Sequence, residues 1–212
     1  MKRIVVLASG RGSNFLALAR DIREGKIDGR CVALIVDRKG TQAAVRAEEF
    51  HIPVSIVDYS CYPSKNEYEE ELVATIRLYA PDLIVLAGYM RILGAGIIRD
   101  YSGNIMNIHP SLLPAFPGLN AQKQAILYGV KVSGCTVHFV DEGTDTGPVI
   151  LQRCVPVADD DDEESLAKRI LSEEHRAFPE AIALFCQDRL KIRNRTVIIL
   201  PDVGPGTTGG SL

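Results

Sequence analysis

The feature that most restricts the fold is an alternation, through the first half of the chain, of short β-branched runs with amphipathic stretches. Runs at 4–7, 31–36, 54–57, 83–87 and 105–109 are separated by helical patterns at 14–24, 42–50, 67–79 and 93–101. The runs stay apolar instead of alternating with polar residues, as strands do when both their faces are covered. A βαβ series of this kind builds a parallel sheet with helices on each side. The spacing therefore predicts a doubly wound, mostly parallel, Rossmann-like α/β fold.

The second half reads differently. Two runs, 134–140 and 149–157, flank a connection rich in glycine and aspartate and are expected to form an antiparallel strand pair. A long late helix follows over 163–188. The acidic run at 159–164 reads as charge that complements the start of this helix rather than as a metal site. Without an internal repeat or a linker, residues 1–200 read as one domain, and 201–212, rich in Gly, Pro and Thr, as a frayed tail.

Composition narrows the function classes. A chain of 212 residues, 46% hydrophobic and 24% charged, can bury a real core. Its net charge of -3 argues against broad binding to nucleic acid or anionic membranes. No stretch approaches the roughly 18 uninterrupted apolar residues of a membrane helix, and the apolar run before Gly10 is too short for a signal peptide. The cysteines (31, 61, 135, 154 and 186) are odd in number and form no C-x-x-C pair, so neither a disulfide framework nor a zinc site is expected. The simplest location is a reducing cytosol; oligomeric state leaves no mark in the sequence.

After the first strand comes Ser9-Gly10-Arg11-Gly12-Ser13-Asn14-Phe15. A glycine turn that opens a helix aims free backbone N–H groups and a positive dipole end at an anion. Ser13 and Asn14 add side-chain donors, or else the segment is only a tight turn with a helix cap. A dinucleotide fingerprint would want glycine where Phe15 stands, and Asp37 falls somewhat far downstream for the ribose carboxylate. A single phosphate suits the loop better.

The strongest signal is Asn107-Ile108-His109-Pro110-Ser111-Leu112-Leu113-Pro114. Residues two apart in a strand share a face, so Asn107 and His109 project together while Met106 and Ile108 turn into the core. The end of a central strand is where open α/β sheets bind ligands, and Pro110, Pro114 and Pro117 stiffen the exit. Farther on, Asp141-Glu142-Gly143-Thr144-Asp145-Thr146-Gly147-Pro148 lacks the spacing of a calcium loop. A carboxylate from it beside His109 would favour the charged imidazole. Of the other histidines, His51 reads as a surface residue and His138 and His175 as structural or supporting ones.

Together these pieces resemble the phosphoribosylglycinamide formyltransferase family of folate enzymes. The matching stretches are Ser9-Gly10-Arg11-Gly12-Ser13-Asn14, Leu86-Ala87-Gly88-Tyr89-Met90-Arg91-Ile92-Leu93, residues 107–114, and Val137-His138-Phe139-Val140 on through 148. Their order and spacing agree from the first strand to the late helix. The resemblance implies a transferase of purine biosynthesis that moves a formyl group from 10-formyltetrahydrofolate, as co-substrate, to the amine of glycinamide ribonucleotide, with no metal. It implies that Gly12, Ser13 and Asn14 bind the substrate phosphate and that Glu174 holds its ribose or glycinamide part. Met90, Arg91, Ile92 and Leu93, with Asp141, Glu142, Gly143, Thr144 and Asp145, would enclose the pterin. Asn107 and His109 would hold the formyl oxygen, and Asp145 would pair with His109 and position a water.

On sequence grounds alone Glu174 reads equally as an exposed helix carboxylate. Lys65 stands where the family often has an arginine that helps to bind an anionic part of the ligand; lysine keeps the charge but loses the planar fork. Competing readings are a formyltetrahydrofolate hydrolase, expected to carry an extra N-terminal domain, and methionyl-tRNA formyltransferase, expected to carry a C-terminal one. A sugar-nucleotide amine formyltransferase is more distant. A non-catalytic nucleotide-binding module would use Gly10, Gly12 and Asp37 but leave Asn107, His109 and Asp145 without a role.

Overall fold

A computed structural model describes residues 1–202. The chain runs β1 (Lys2–Ala8), α1 (Ser13–Arg23), β2 (Gly29–Val36), α2 (Gln42–Glu49), β3 (Val54–Ile56), α3 (Lys65–Leu78), β4 (Leu83–Leu86) and α4 (Ala95–Asp100). It continues with β5 (Ile105–His109), α5 (Ala121–Tyr128), β6 (Val132–Phe139), β7 (Val149–Pro156), α6 (Glu163–Cys186), β8 (Leu190–Arg193) and β9 (Thr196–Ile199). The strands form one sheet in the order β3-β2-β1-β4-β5-β6-β7-β9-β8. From β3 to β5 all neighbours are parallel. The direction reverses at β6, which pairs antiparallel with both β5 and β7.

The unbroken apolar runs have the expected cause. Along β1, Ile4, Val6 and Ala8 turn into one core with Phe15, Leu18, Ile170 and Phe178, under α1 and α6. Val5 and Leu7 turn the other way, to Tyr68, Leu72, Ile76 and Ile97 of α3 and α4. With both faces covered, a strand has no place for polar alternation.

The antiparallel pair and the long helix stand close to the expected bounds. The acidic run is a cap: the Asp162 carboxylate accepts the Ser165 N–H at 2.8 Å, and the Asp162 N–H donates to Ser165 Oγ at 3.0 Å. Asp161 meanwhile pairs with Arg169 through two guanidinium bonds, at 2.6 and 2.9 Å. The helix expected over 93–101 is shorter, since Gly94 is its N-cap and Leu93 stays outside. Three elements lie beyond the sequence reading. Helix α5 buries only Ala121 and Ala125, too little apolar surface for a visible stripe; β8 and β9 are mostly exposed and lack a buried face that alternates. Of the tail expected over 201–212, all but Pro201 and Asp202 lies outside the described residues.

Among the described residues no helix is long and apolar enough to cross a membrane. All five cysteines are free thiols, three of them buried.

Candidate active site

The site grows from the end of β5. Met106 and Ile108 belong to the core, while Asn107 and His109 face a cleft of about 520 Å³. The exit of the strand is pinned from β6. Thr136 Oγ1 donates to the Ser111 carbonyl at 2.7 Å and accepts the Leu113 N–H at 3.0 Å. Ser111 Oγ in turn donates to the Ala115 carbonyl at 2.6 Å. This folded-back exit brings the Phe116 carbonyl to His109, whose Nε2–H donates to it at 2.8 Å.

Asp145 closes the constellation. Its Oδ2 stands 3.2 Å from His109 Nδ1 and accepts the Gly118 N–H at 2.8 Å. A carbonyl can only accept, so His109 carries a proton on Nε2; a second proton on Nδ1 makes the contact to the carboxylate attractive as well. Burial alone would raise the Asp145 carboxyl, but the Gly118 N–H and the neighbouring His109 hold it below its ordinary value. Of the two, Gly118 is a direct hydrogen-bond donor.

His138 contributes more than its sequence position suggested. It lies opposite Asn107 across the β5–β6 ladder. Its Nδ1–H donates to its neighbour's carbonyl, at Phe139, at 2.8 Å, which leaves Nε2 as the acceptor for the Asn107 amide at 3.2 Å. The same amide nitrogen is 3.5 Å from Asp145 Oδ1. Four side chains from two strands and one loop thus converge.

Met90, Arg91, Ile92 and Leu93 line one wall of the cleft, and Asp141, Glu142, Gly143, Thr144 and Asp145 another. Met90 and Ile92 are exposed large apolar side chains, at 62% and 71% of their full surface. Arg91 is drawn aside: it pairs with buried Asp37 at 2.9 Å and lies over the Tyr59 ring. That pairing gives Asp37 a structural partner in place of a ribose. Lys65 is not part of the cleft wall; it sits in the first turn of α3, 3.4 Å from Glu69.

The glycine loop forms a separate corner. Gly12 is the N-cap of α1, with φ of 66°, and makes no side-chain cap bond. A Cβ there would come within 2.6 Å of the Ala43 Cβ, so glycine is required by both backbone and packing. Asn14 does not cap the helix either; its amide donates to Glu174 Oε2 at 2.7 Å. Glu174 is only 8% exposed, which corrects the reading of it as a surface carboxylate. Burial raises its carboxyl and the Asn14 bond opposes this. Ser9 ties this corner to the cleft: its N–H donates to the Gly88 carbonyl at 3.1 Å, and its Oγ accepts the Met90 N–H at 2.9 Å. Among the described residues no cluster of three or more His, Cys, Asp or Glu is placed to hold a metal ion.

Residues 2–182 match the family model described as formyl transferase. The chain belongs to the formyl transferase family. Within it, the chain is 44% identical over 182 residues to the phosphoribosylglycinamide formyltransferase of Bacillus subtilis, covering 86% of this chain and 93% of that one. It is 41% identical to the Escherichia coli enzyme of the same name, over 89% of each. A trifunctional purine biosynthetic protein of Drosophila melanogaster is 45% identical over 95% of this chain, which spans 15% of that larger protein. Among solved structures, glycinamide ribonucleotide transformylase 1 from Symbiobacterium toebii superposes with a TM-score of 0.93 at 48% identity, over 95% of both chains. A formyltetrahydrofolate deformylase from Pseudomonas syringae superposes at 0.89 with 28% identity, over 94% of this chain and 66% of that one. The same fold is thus shared by proteins named as transformylases and by one named as a deformylase.

Proposed function

We propose that this protein transfers the formyl group of 10-formyltetrahydrofolate to the amine of glycinamide ribonucleotide, giving formylglycinamide ribonucleotide and tetrahydrofolate, a reaction of purine biosynthesis. One observation carries the reading: a cleft walled by 90–93 and 141–145 opens directly on Asn107, His109 and Asp145, in a chain that is 41–44% identical to phosphoribosylglycinamide formyltransferases over most of its length. Residues 1–200 act as one formyltransferase domain, in the cytosol.

The chemistry follows from where charge develops. The amine nitrogen forms a bond to the formyl carbon, and the formyl oxygen takes up negative charge. Donors fixed in advance at that oxygen lower the barrier, because they need no reorganisation during the reaction. Asn107 and His109 fill that role. His109 Nε2–H is engaged by the Phe116 carbonyl, so it reaches the formyl oxygen by exchanging that acceptor for substrate. The proton lost by the amine goes to the folate nitrogen as the bond from carbon to that nitrogen breaks. The Asp145 carboxylate, held ionised beside His109, relays it with an ordered water. The first-turn N–H groups at Gly12, Ser13 and Asn14 suit the phosphate, and Glu174 the ribose or glycinamide part. The Met90–Leu93 and 141–145 walls hold the pterin.

Deformylation of a 10-formyl folate is followed by absorbance, with and without glycinamide ribonucleotide. Turnover that requires the ribonucleotide is the expected outcome. Turnover without any amine would establish the deformylase reading, which the Pseudomonas syringae match keeps in view.

A further inference from the structure

The loop that presents Asp145 makes a tight return. Asp145 itself has φ of 55°, a left-handed conformation uncommon for a residue with a side chain. Gly147 admits no Cβ, which would fall 1.8 Å from the Phe139 carbonyl oxygen. Asp141 Oδ1 holds the loop from within, accepting the Gly143 N–H at 3.2 Å and the Thr146 hydroxyl at 2.6 Å. From outside, the loop's backbone is held by Arg195, whose Nη2 donates to the Thr146 carbonyl at 2.9 Å, in the residue that follows Asp145.

Arg195 belongs to the hairpin of β8 and β9, in the turn between Arg193 and Thr196. The hairpin lies outside residues 2–182, the part that matches the formyl transferase family. It is firmly seated. Thr196 bridges to Val149 of β7, immediately beyond the 141–148 segment. Leu190 and Val197 pack on the main core. Arg189 and Leu200 close the hairpin base: the Leu200 N–H donates to the Arg189 carbonyl and Arg189 Nε to the Leu200 carbonyl, both at 2.8 Å.

We propose that Arg195 is a positioning residue for the reaction, and that the C-terminal hairpin is part of the catalytic scaffold because it fixes the backbone beside Asp145. The guanidinium makes a charge-assisted bond to the carbonyl of Thr146, the residue that follows the strained one. With His109 and Gly118 gripping the carboxylate, and Arg195 gripping the backbone, Asp145 is held at both ends. An unanchored loop lets the carboxylate drift, and displacements near 1 Å can cost about 100-fold in rate.

The proposal rests on Asp145 acting in catalysis, so Asp145→Asn is measured beside it. Arg195 is exposed, so Arg195→Ala should fold normally, as circular dichroism would confirm. The expected result is a fall in kcat of about tenfold with KM for both substrates within about threefold, and recovery of most of the loss in Arg195→Lys, which restores a donor. Lys191→Ala, on β8, controls for loss of charge on the hairpin and should match the parent. A parental kcat in Arg195→Ala, or a loss that lysine fails to restore, overturns the role of Arg195 if Asp145→Asn is inactive. A fully active Asp145→Asn overturns the assignment of Asp145 on which it depends.

Discussion

Asp145 serves three neighbours with two oxygens: His109, the Gly118 N–H and, at longer range, the Asn107 amide. Replacing it by asparagine keeps the size but removes the charge that makes the His109 contact attractive. Asp145→Asn should lower kcat by about 100- to 10,000-fold, the span of a lost proton-transfer group, with thermal unfolding little changed. Stopped-flow turnover with both substrates saturating would check it. Lys65 gives the opposite expectation. Paired with Glu69 on α3 and absent from the cleft wall, it should tolerate alanine, with KM for the folate within about twofold of the parent by the usual small worth of exposed ion pairs. A large rise in that KM would show that α3 reaches the ligand after all. Of the residues drawn from sequence, Asn107 and His109 were legible from strand periodicity, and Asp145 only through the resemblance of its loop to the formyltransferase family. His138 was not, since its role depends on which residue faces it across a ladder that only the folded sheet defines.

At the scale of elements, helix α6 shows how local rules become stability. The backbone and side chain of Ser165 hold the Asp162 carboxyl below its ordinary value of 3.8. A lowered folded-state value means that the contribution is complete above about pH 4 and fades as pH falls through the lowered value. Asp162→Ala should therefore lower Tm by about 2–4 °C at neutral pH, and the gap to the parent should shrink in acid. Calorimetry from pH 7 to 3 tests the sign; a gap that widens in acid would contradict the cap. The acidic run and the apolar strands were readable because each acts within a few residues. Helix α5 and the β8–β9 hairpin were not, because both are ordered by contacts made elsewhere, α5 through two alanines and the hairpin through β7 and Arg189.

Across the whole molecule, the chain leaves β1 toward β2 and β3, then returns to place β4 on the other side of β1. That reversal opens a crevice at the carboxyl ends of β1 and β4, the position where open α/β sheets bind ligands. Ser9 spans it, bonding both Gly88 and Met90 across the split. Ser9→Ala removes one of these bonds without altering the fold and should raise KM for the folate about three- to tenfold, in keeping with one lost hydrogen bond, while kcat stays near the parent value. An unchanged KM would mean that the backbone bond from residue 9 to Gly88 and the Arg91–Asp37 pair suffice to hold the loop at 88–93. The doubly wound half was legible because each parallel strand is followed by a helix that must cover it. How the glycine loop and the end of β5 come to lie at the same edge of the sheet was not, since strand order is a property of the closed sheet.

The reversal of direction at β6 has a consequence for how such a site tolerates change. Because β5 and β6 run against each other, Asn107 meets His138 and His109 meets Thr136. Side chains alternate along β6, so a slip of one residue would bring Val137 or Phe139 opposite Asn107 and turn His138 toward the hydrocarbon interior. The polar contacts of the candidate site and the sorting of oil from water are therefore written in the same frame. A single inserted residue in β6 would shift both readings at once, and no substitution elsewhere in the strand could restore one without the other.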